Sequence, residues 1–377
     1  MPSTNSLLTL LDRIEDSFDR TKFAIRKRLD WIKPLMIVPY RGYGNEQSVT
    51  LTGRVLEDTG IVKPSDEDTV WKNLVASYKR IASREIPFVR VQGVFQGQVH
   101  TVETDEEGYF SLTFKVDETQ LEETTAWYPV QLRLLDAVVE DQDEVTATGE
   151  VLIPDLKADF GVISDIDDTV LVSDVGRLLR MFRRAFLENA TARLPFPGVA
   201  AFYRALQVGS LEKSHNPFFF VSSSPWNLYD LLVEFFDLQD IPKAPVLLRD
   251  LGISDTMFIK EGHGVHKLGN IRRILDTYPT LNFVLVGDSS QHDPEIYRQV
   301  VEEYPGRILA IYIRDVTPDH RDVEIVGIGD ALREHQVDLV YCEHTEDAAR
   351  HAIEKRLLSP DRLPEIHREK EEDESEA

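Results

Sequence analysis

Three carboxylates, Asp165, Asp167 and Asp168, stand within four positions, directly after Phe160-Gly161-Val162-Ile163-Ser164. That much like charge at one end of a strand is costly unless a cation shares the site. Oxygen-only donors select a hard cation. Mg²⁺ is the expected one, because it binds a few carboxylates and keeps waters. Such a centre also suits phosphate, since the ion bridges protein and phosphoryl oxygens. By itself the run also reads as an ordinary acidic turn after a strand.

Three further stretches carry compatible chemistry. Phe218-Phe219-Phe220-Val221 leads into Ser222-Ser223-Ser224-Pro225. Hydroxyls and backbone N–H groups there would bind phosphate oxygens, although serine before proline is also a common helix cap. Lys267 is expected to open a helix over Leu268–Tyr278. A cation at that end opposes the helix dipole, so the position needs another reason. Pairing with the carboxylates and a phosphate would supply it, with Lys260 as the rival. Phe283-Val284-Leu285-Val286-Gly287-Asp288 is a third apolar run ending in a carboxylate, followed by Asp293. Asp288 would complete a metal site, with Asp293 beside or behind it and Gly287 allowing a tight turn. His263-Gly264-Val265-His266 lacks a third ligand nearby in sequence and reads as a loop leading to Lys267.

From residue 160 onward the pattern that must position these groups alternates apolar strands with amphipathic helices. Strands are expected over Phe160–Ile163, Phe218–Val221, Phe283–Val286, Ile308–Ile313 and Leu339–Tyr341. Helices are expected over Pro197–Gln207, Trp226–Phe236, Leu268–Tyr278 and Pro294–Tyr304. That alternation predicts an α/β, doubly wound parallel sheet. Ligands of such sheets bind at the carboxyl ends of the strands, where the candidate residues fall. Between Val170 and Leu194 lies a mixture of arginines, including Arg177, Arg180 and Arg184, with Leu178, Leu179, Met181 and Phe182. It reads either as a helix covering the sheet or as a cap contacting an anionic headgroup or membrane surface.

The front half has a different period. Apolar residues alternate with polar ones around Val49–Val55, Phe88–Val91, Gln98–Val102, Tyr109–Phe114 and Val130–Leu134, with turns such as Asp105-Glu106-Glu107-Gly108 between. This predicts an antiparallel β-sandwich with one helical insertion near Val70–Ala82. No catalytic constellation is evident there, so a binding or scaffold module is expected. Leu7 to Ile32 has helical spacing and an acidic early polar face, which favours packing on a neighbouring domain over lying on a membrane. The expected organisation is an N-terminal helical segment (1–45), a β-sandwich domain (46–156), an α/β domain (157–360) and an acidic tail (361–377), its end solvated or disordered.

Composition excludes several classes. With a net charge of −24 over 377 residues, the chain offers no broad basic field, and no nucleic-acid partner is expected. The single cysteine, Cys342, rules out an intrachain disulfide or a cysteine zinc site and fits a reducing, cytoplasmic location. No signal peptide or transmembrane run is expected.

The order Asp-x-Asp-x-Thr from Asp165 to Thr169, hydroxyl, lysine, then Gly287-Asp288-x-x-x-x-Asp293 resembles the haloacid dehalogenase-like superfamily of phosphatases. The runs Asp165–Val170, Arg193–Val199, Val221–Trp226 and Gly287–Glu295, with Tyr40-Arg41-Gly42-Tyr43-Gly44, resemble the actin-patch-associated phosphatidate phosphatase family. That resemblance implies an Mg²⁺-dependent phosphomonoester hydrolase. Asp165 would attack phosphorus and form an aspartyl-phosphate, and Asp167 would serve as acid and base. Asp165, the Asp167 carbonyl and Asp288 would hold Mg²⁺, with Asp293 steadying the metal's waters or Lys267. Ser222, Ser223 and Lys267 would hold the phosphoryl oxygens. The implied substrate is phosphatidate, reached by peripheral membrane contact. The alternatives are a phosphatase for soluble phosphomonoesters, or an adaptor with a vestigial catalytic domain.

Overall fold

The computed structural model describes residues 34–58, 84–122, 125–155, 157–166, 197–210, 215–249, 263–289, 292–316 and 321–375. The helix expected over 7–32, the insertion near 70–82, Asp167, Asp168, Thr169, Lys260 and the arginine-rich stretch with Arg177, Arg180 and Arg184 lie outside them. The chain divides into two compact units, Met1–Ile153 and Pro154–Ala377.

In the first unit, two-residue alternation yields β1 (Leu35–Pro39), β2 (Gly42–Gly44), β3 (Ser48–Glu57), β4 (Arg90–Phe95), β5 (Gln98–Glu103), β6 (Tyr109–Lys115), β7 (Trp127–Leu134) and β8 (Thr146–Leu152). Alternate residues such as Leu51, Val91, Leu112 and Val130 fill one core. The strands form a single, mostly antiparallel sheet, ordered β1-β3-β2-β8-β7-β4-β5, with β6 on β3. Instead of the two separate sheets of the expected sandwich, a short parallel pairing of β2 with β8, Gly42 opposite Val151, joins the described strands into one sheet. Side chains draw β5 and β6 together. Gln98 Nε2 donates to Lys115 O (2.7 Å), His100 Nδ1 donates to Thr113 O (2.8 Å), and the His100 ring stacks on Phe114 at 4.9 Å.

In the second unit β9 (Gly161–Asp165), β10 (Phe218–Pro225), β11 (Val246–Arg249), β12 (Phe283–Asp288), β13 (Ile308–Arg314) and β14 (Asp338–Cys342) form a parallel sheet ordered β11-β10-β9-β12-β13-β14. Its helices among the described residues are α1 (Val199–Val208), α2 (Tyr229–Leu238), α3 (His263–Thr277), α4 (Asp293–Glu303), α5 (Asp322–Arg333), α6 (Thr345–Glu354) and α7 (Leu363–Ser375). Strand β9 is buried throughout, as the apolar strands of a parallel sheet are. Phe218 and Phe220 meet Tyr203 of α1 with ring centroids 5.5 and 6.2 Å apart, whereas Phe219 meets Tyr278 just past α3 at 5.5 Å. Neighbouring strand residues point to opposite faces, so α1 and α3 flank opposite faces of the sheet. From β9 the chain builds outward through β10 and β11, then returns to the other side of β9 for β12 to β14. That reversal opens a crevice at the carboxyl ends of β9 and β12.

Three local expectations are corrected. Helix α3 starts at His263, so 263–266 is its first turn rather than a loop, and Lys267 sits in the second turn. No proline or side-chain cap separates His263 from Lys267, so nothing stops the helix there. Strand β10 runs on to Pro225, so Ser222, Ser223 and Ser224 lie within the strand rather than at a helix start. One 3₁₀ turn, Trp226–Leu228, precedes α2. The acidic C-terminus is a docked helix, α7, rather than a solvated end. Glu365, Glu369 and Asp373 recur every fourth position and face α1. Asp373 Oδ2 accepts from Gly198 N and Glu369 Oε1 from Ala201 N, both at 2.8 Å, and Glu369 Oε2 pairs with Arg204 at 2.5 Å. These carboxylates cap an α1 N-terminus whose own N-cap is Gly198, with φ +76 and no side chain to do so.

Candidate active site

Asp165 is the last residue of β9, Asp288 the last of β12, and Asp293 the first of α4. Each is buried, and one carboxylate oxygen from each lies within 4.8 Å of the others. Lys267 reaches the cluster from α3. Its Nζ is 2.8 Å from Asp165 Oδ1 and 2.5 Å from Asp293 Oδ1, and the residue is only 1% exposed. Asp293 Oδ2 accepts from the backbone N–H of Asp288 at 3.2 Å. The order of strands explains the gathering: β9 and β12 are neighbours, Val286 opposite Ser164, so their ends meet.

Three buried carboxylates against one ammonium leave an excess of negative charge, a costly state in a low-dielectric site. The donor set is oxygen only, and it fits a hard divalent cation coordinated by Asp165, Asp288 and Asp293.

Tyrosines that nothing in the sequence marked hold the frame. Ser164 Oγ donates to the Asp165 carbonyl at 3.0 Å and lies 2.7 Å from Tyr203 Oη. Burial pushes the Tyr203 phenol up to about 12, so it remains a neutral donor. Tyr297 Oη donates to Val286 O at 2.7 Å. Burial and then the charges of Asp293, Asp165 and Asp288 hold its phenol well above the ordinary range. Both tyrosines lie on apolar helix faces, where sequence periodicity shows only core. Ser289 ties the loop after β12 to the end of β13, with Ser289 N donating to Arg314 O (2.9 Å) and Ser289 Oγ accepting from Val316 N (3.0 Å).

Ser222 and Ser223 follow Val221, the register partner of Asp165 on β10. Ser222 is fully buried and its Oγ accepts from Ser224 N at 2.9 Å. A small cavity beside Asp165 is lined by Tyr203, Gly287, Arg314, Cys342, His344 and Thr345 together with apolar side chains of α1 and α6. Burial pushes the Arg314 guanidinium down to about 10 and the Cys342 thiol up to about 12. Among the described residues no helix is long and apolar enough to cross a membrane.

Residues 160–315, the span that holds Asp165, Lys267, Asp288 and Asp293, match the family model described as phosphatidate phosphatase APP1, catalytic domain. The matched span falls within the second unit. Phosphatidate phosphatase APP1 of Saccharomyces cerevisiae is 33% identical over 165 residues, covering 44% of this chain and 27% of that protein. An uncharacterised protein of Schizosaccharomyces pombe is 30% identical over 222 residues, covering 58% of this chain and 35% of that protein. The chain thus spans about a third or less of these relatives' length. Among solved structures, a bacterial immunoglobulin-like domain of the M. primoryensis ice-binding adhesin aligns with 32% of this chain and 95% of its own. Its identity is 12% and its TM-score 0.17, too weak a likeness to bear on fold or function.

Proposed function

We propose that this protein is a divalent-metal-dependent phosphomonoester hydrolase of haloacid dehalogenase-like, doubly wound type, with phosphatidate as substrate and diacylglycerol and phosphate as products. The observation that carries the reading is Lys267 spanning Asp165 and Asp293, with Asp288 in the same buried cluster, at the strand-order reversal of a parallel sheet. The relationship to a phosphatidate phosphatase supports the substrate.

In this reading Asp165 attacks phosphorus and carries the phosphoryl group as an aspartyl-phosphate, dividing one hydrolysis into two displacements. Asp167, two positions on, protonates the leaving alkoxide and then takes a proton from water. Lys267 and the hydroxyls of Ser222 and Ser223 hold phosphoryl oxygens, and Asp293 holds Lys267 in place. Mg²⁺, held by Asp165, Asp288 and Asp293 with the Asp167 carbonyl, would supply charge neutralisation between carboxylate and phosphate. Arg177, Arg180 and Arg184 would contact the anionic headgroup or membrane surface, and the enzyme would work peripherally from the cytoplasmic side.

Phosphate release should be measured from phosphatidate in mixed micelles and from soluble sugar and nucleotide phosphates, with Mg²⁺ and with chelator. Wild type should turn over phosphatidate only with the metal, and Asp165→Asn should release none while remaining folded. Preference for soluble esters would overturn the substrate, and turnover by Asp165→Asn would overturn the nucleophile. Unchanged binding of Arg180→Gln/Arg184→Gln to anionic vesicles would remove the headgroup role.

A further inference from the structure

Lys267 is committed to two carboxylates, at 2.8 and 2.5 Å. With Asp288 in the cluster, the described groups retain two formal negative charges. A divalent ion cancels these, and a phosphomonoester near neutral pH then brings almost two more. Serine hydroxyls and backbone N–H groups contribute dipoles but no charge. Among the described residues, a further cation facing the nucleophile would complete this balance.

Arg314 stands where that cation is required. It ends β13, in register with Asp288 on β12, and its side chain lines the same cavity as Asp165 and Gly287. The Arg314 carbonyl is fixed by Ser289 N, and β13 pairs with β14 at Cys342, so the strand end is held on both sides. The cavity's remaining wall includes Phe202, Val286 and Tyr312, apolar groups that exclude water and strengthen charge–charge attraction inside. A guanidinium presents a planar fork of donors matched to two phosphate oxygens, which a lysine point charge does not reproduce.

We propose that Arg314 binds the non-bridging oxygens of the substrate phosphate in the cavity beside Asp165, acting as a specificity residue for a phosphate dianion. The assignment rests on the phosphatase reading above.

The test uses the full chain with Mg²⁺ and inorganic phosphate as probe. Phosphate affinity is read by titration calorimetry and by competitive inhibition, alongside KM, kcat and the melting temperature without phosphate. Arg314→Gln should weaken phosphate binding and raise KM by about tenfold or more, the scale of a lost charge-assisted contact, while kcat changes less. Arg314→Lys should recover part of the affinity, and both variants should melt like wild type. Phosphate affinity equal to wild type in both variants overturns the assignment. So does a loss of affinity that tracks a fallen melting temperature in both. If wild type neither binds nor releases phosphate, the functional reading fails first and takes Arg314 with it. If wild type does both and only the variants are unaffected, Arg314 alone is wrong.

Discussion

Asp293 places its carboxylate where a side chain at position 287 would have to stand. A Cβ on Gly287 would lie 2.4 Å from Asp293 Oδ2 and 2.9 Å from the Tyr297 ring. Gly287→Ala should therefore push Asp293 away from Lys267 and from the Asp288 N–H. Overpacking of this kind costs about 1–3 kcal/mol. Denaturant unfolding should show that loss together with a fall in phosphate release; an alanine variant that matches wild type in both would show that the carboxylate can move freely.

Lys267 is enclosed with two carboxylates, so removing its charge strands them. Lys267→Met should destabilise the protein by about 3–5 kcal/mol in chelator, the usual cost of breaking a buried pair from one side. A divalent cation should restore part of that stability, because it replaces the lost positive charge. Equal stability of the variant and wild type in chelator would contradict the pairing.

Binding to the native state alone raises stability by mass action. Mg²⁺ at about a hundred times its dissociation constant should add about 2.7 kcal/mol. Asp288→Asn should abolish most of the melting-temperature shift, since it removes one of three carboxylates around the centre. A melting curve indifferent to Mg²⁺ in wild type would eliminate the metal.

Helix α7 should be an integral part of the second unit. Glu369→Ala and Asp373→Ala each remove a carboxylate that receives a backbone N–H of the α1 N-terminus. Loss of a helix cap costs about 0.5–2 kcal/mol. Hydrogen exchange at Gly198 and Ala201 should accelerate in the matching variant, and unchanged protection would show that the caps are replaceable by water.

The α6–α7 contact should depend on pH. His367 Nδ1 lies 2.6 Å from Glu346 Oε1. That hydrogen bond, with the charge of Glu371, holds the imidazole above its ordinary value, and the same bond holds Glu346 below the usual carboxylate range. A raised histidine stabilises fully below about pH 6.5 and loses its contribution as pH climbs through the folded value. A lowered glutamate stabilises above about pH 4.3 and loses its contribution as pH falls through the folded value. Protection of α7, corrected for intrinsic exchange, should peak between these limits. His367→Gln should flatten the alkaline side, and a wild-type profile in that variant would discount the pair.

Much of the site was legible in the residues because its chemistry is concentrated at strand ends. An apolar run that stops at a carboxylate, as at Asp165 and Asp288, signals both the strand and the polar end of a parallel sheet. The five strands expected after residue 160 are all present, whereas β11, only Val246–Arg249, was too short to stand out from its surroundings. In the acidic tail, Glu369 and Asp373 look like surplus, solvated charge until Arg204 and two N–H groups are set opposite them. Tyr203, Tyr297 and Arg314 carry no local signature, since each matters through a partner on another element, Ser164, Val286 and Asp288 respectively.

By itself the sequence determined the residue types of the centre, the alternation of strand and helix, and the choice of oxygen donors for a hard cation. These follow from short-range periodicity and the chemistry of single side chains. Only the tertiary structure decided that Lys267 would be shared between Asp165 and Asp293, that β9 and β12 would be neighbours, and that acids near the chain's end would cap α1. Such pairings depend on which distant segments the sheet order brings within a few ångströms, and no local pattern encodes that distance.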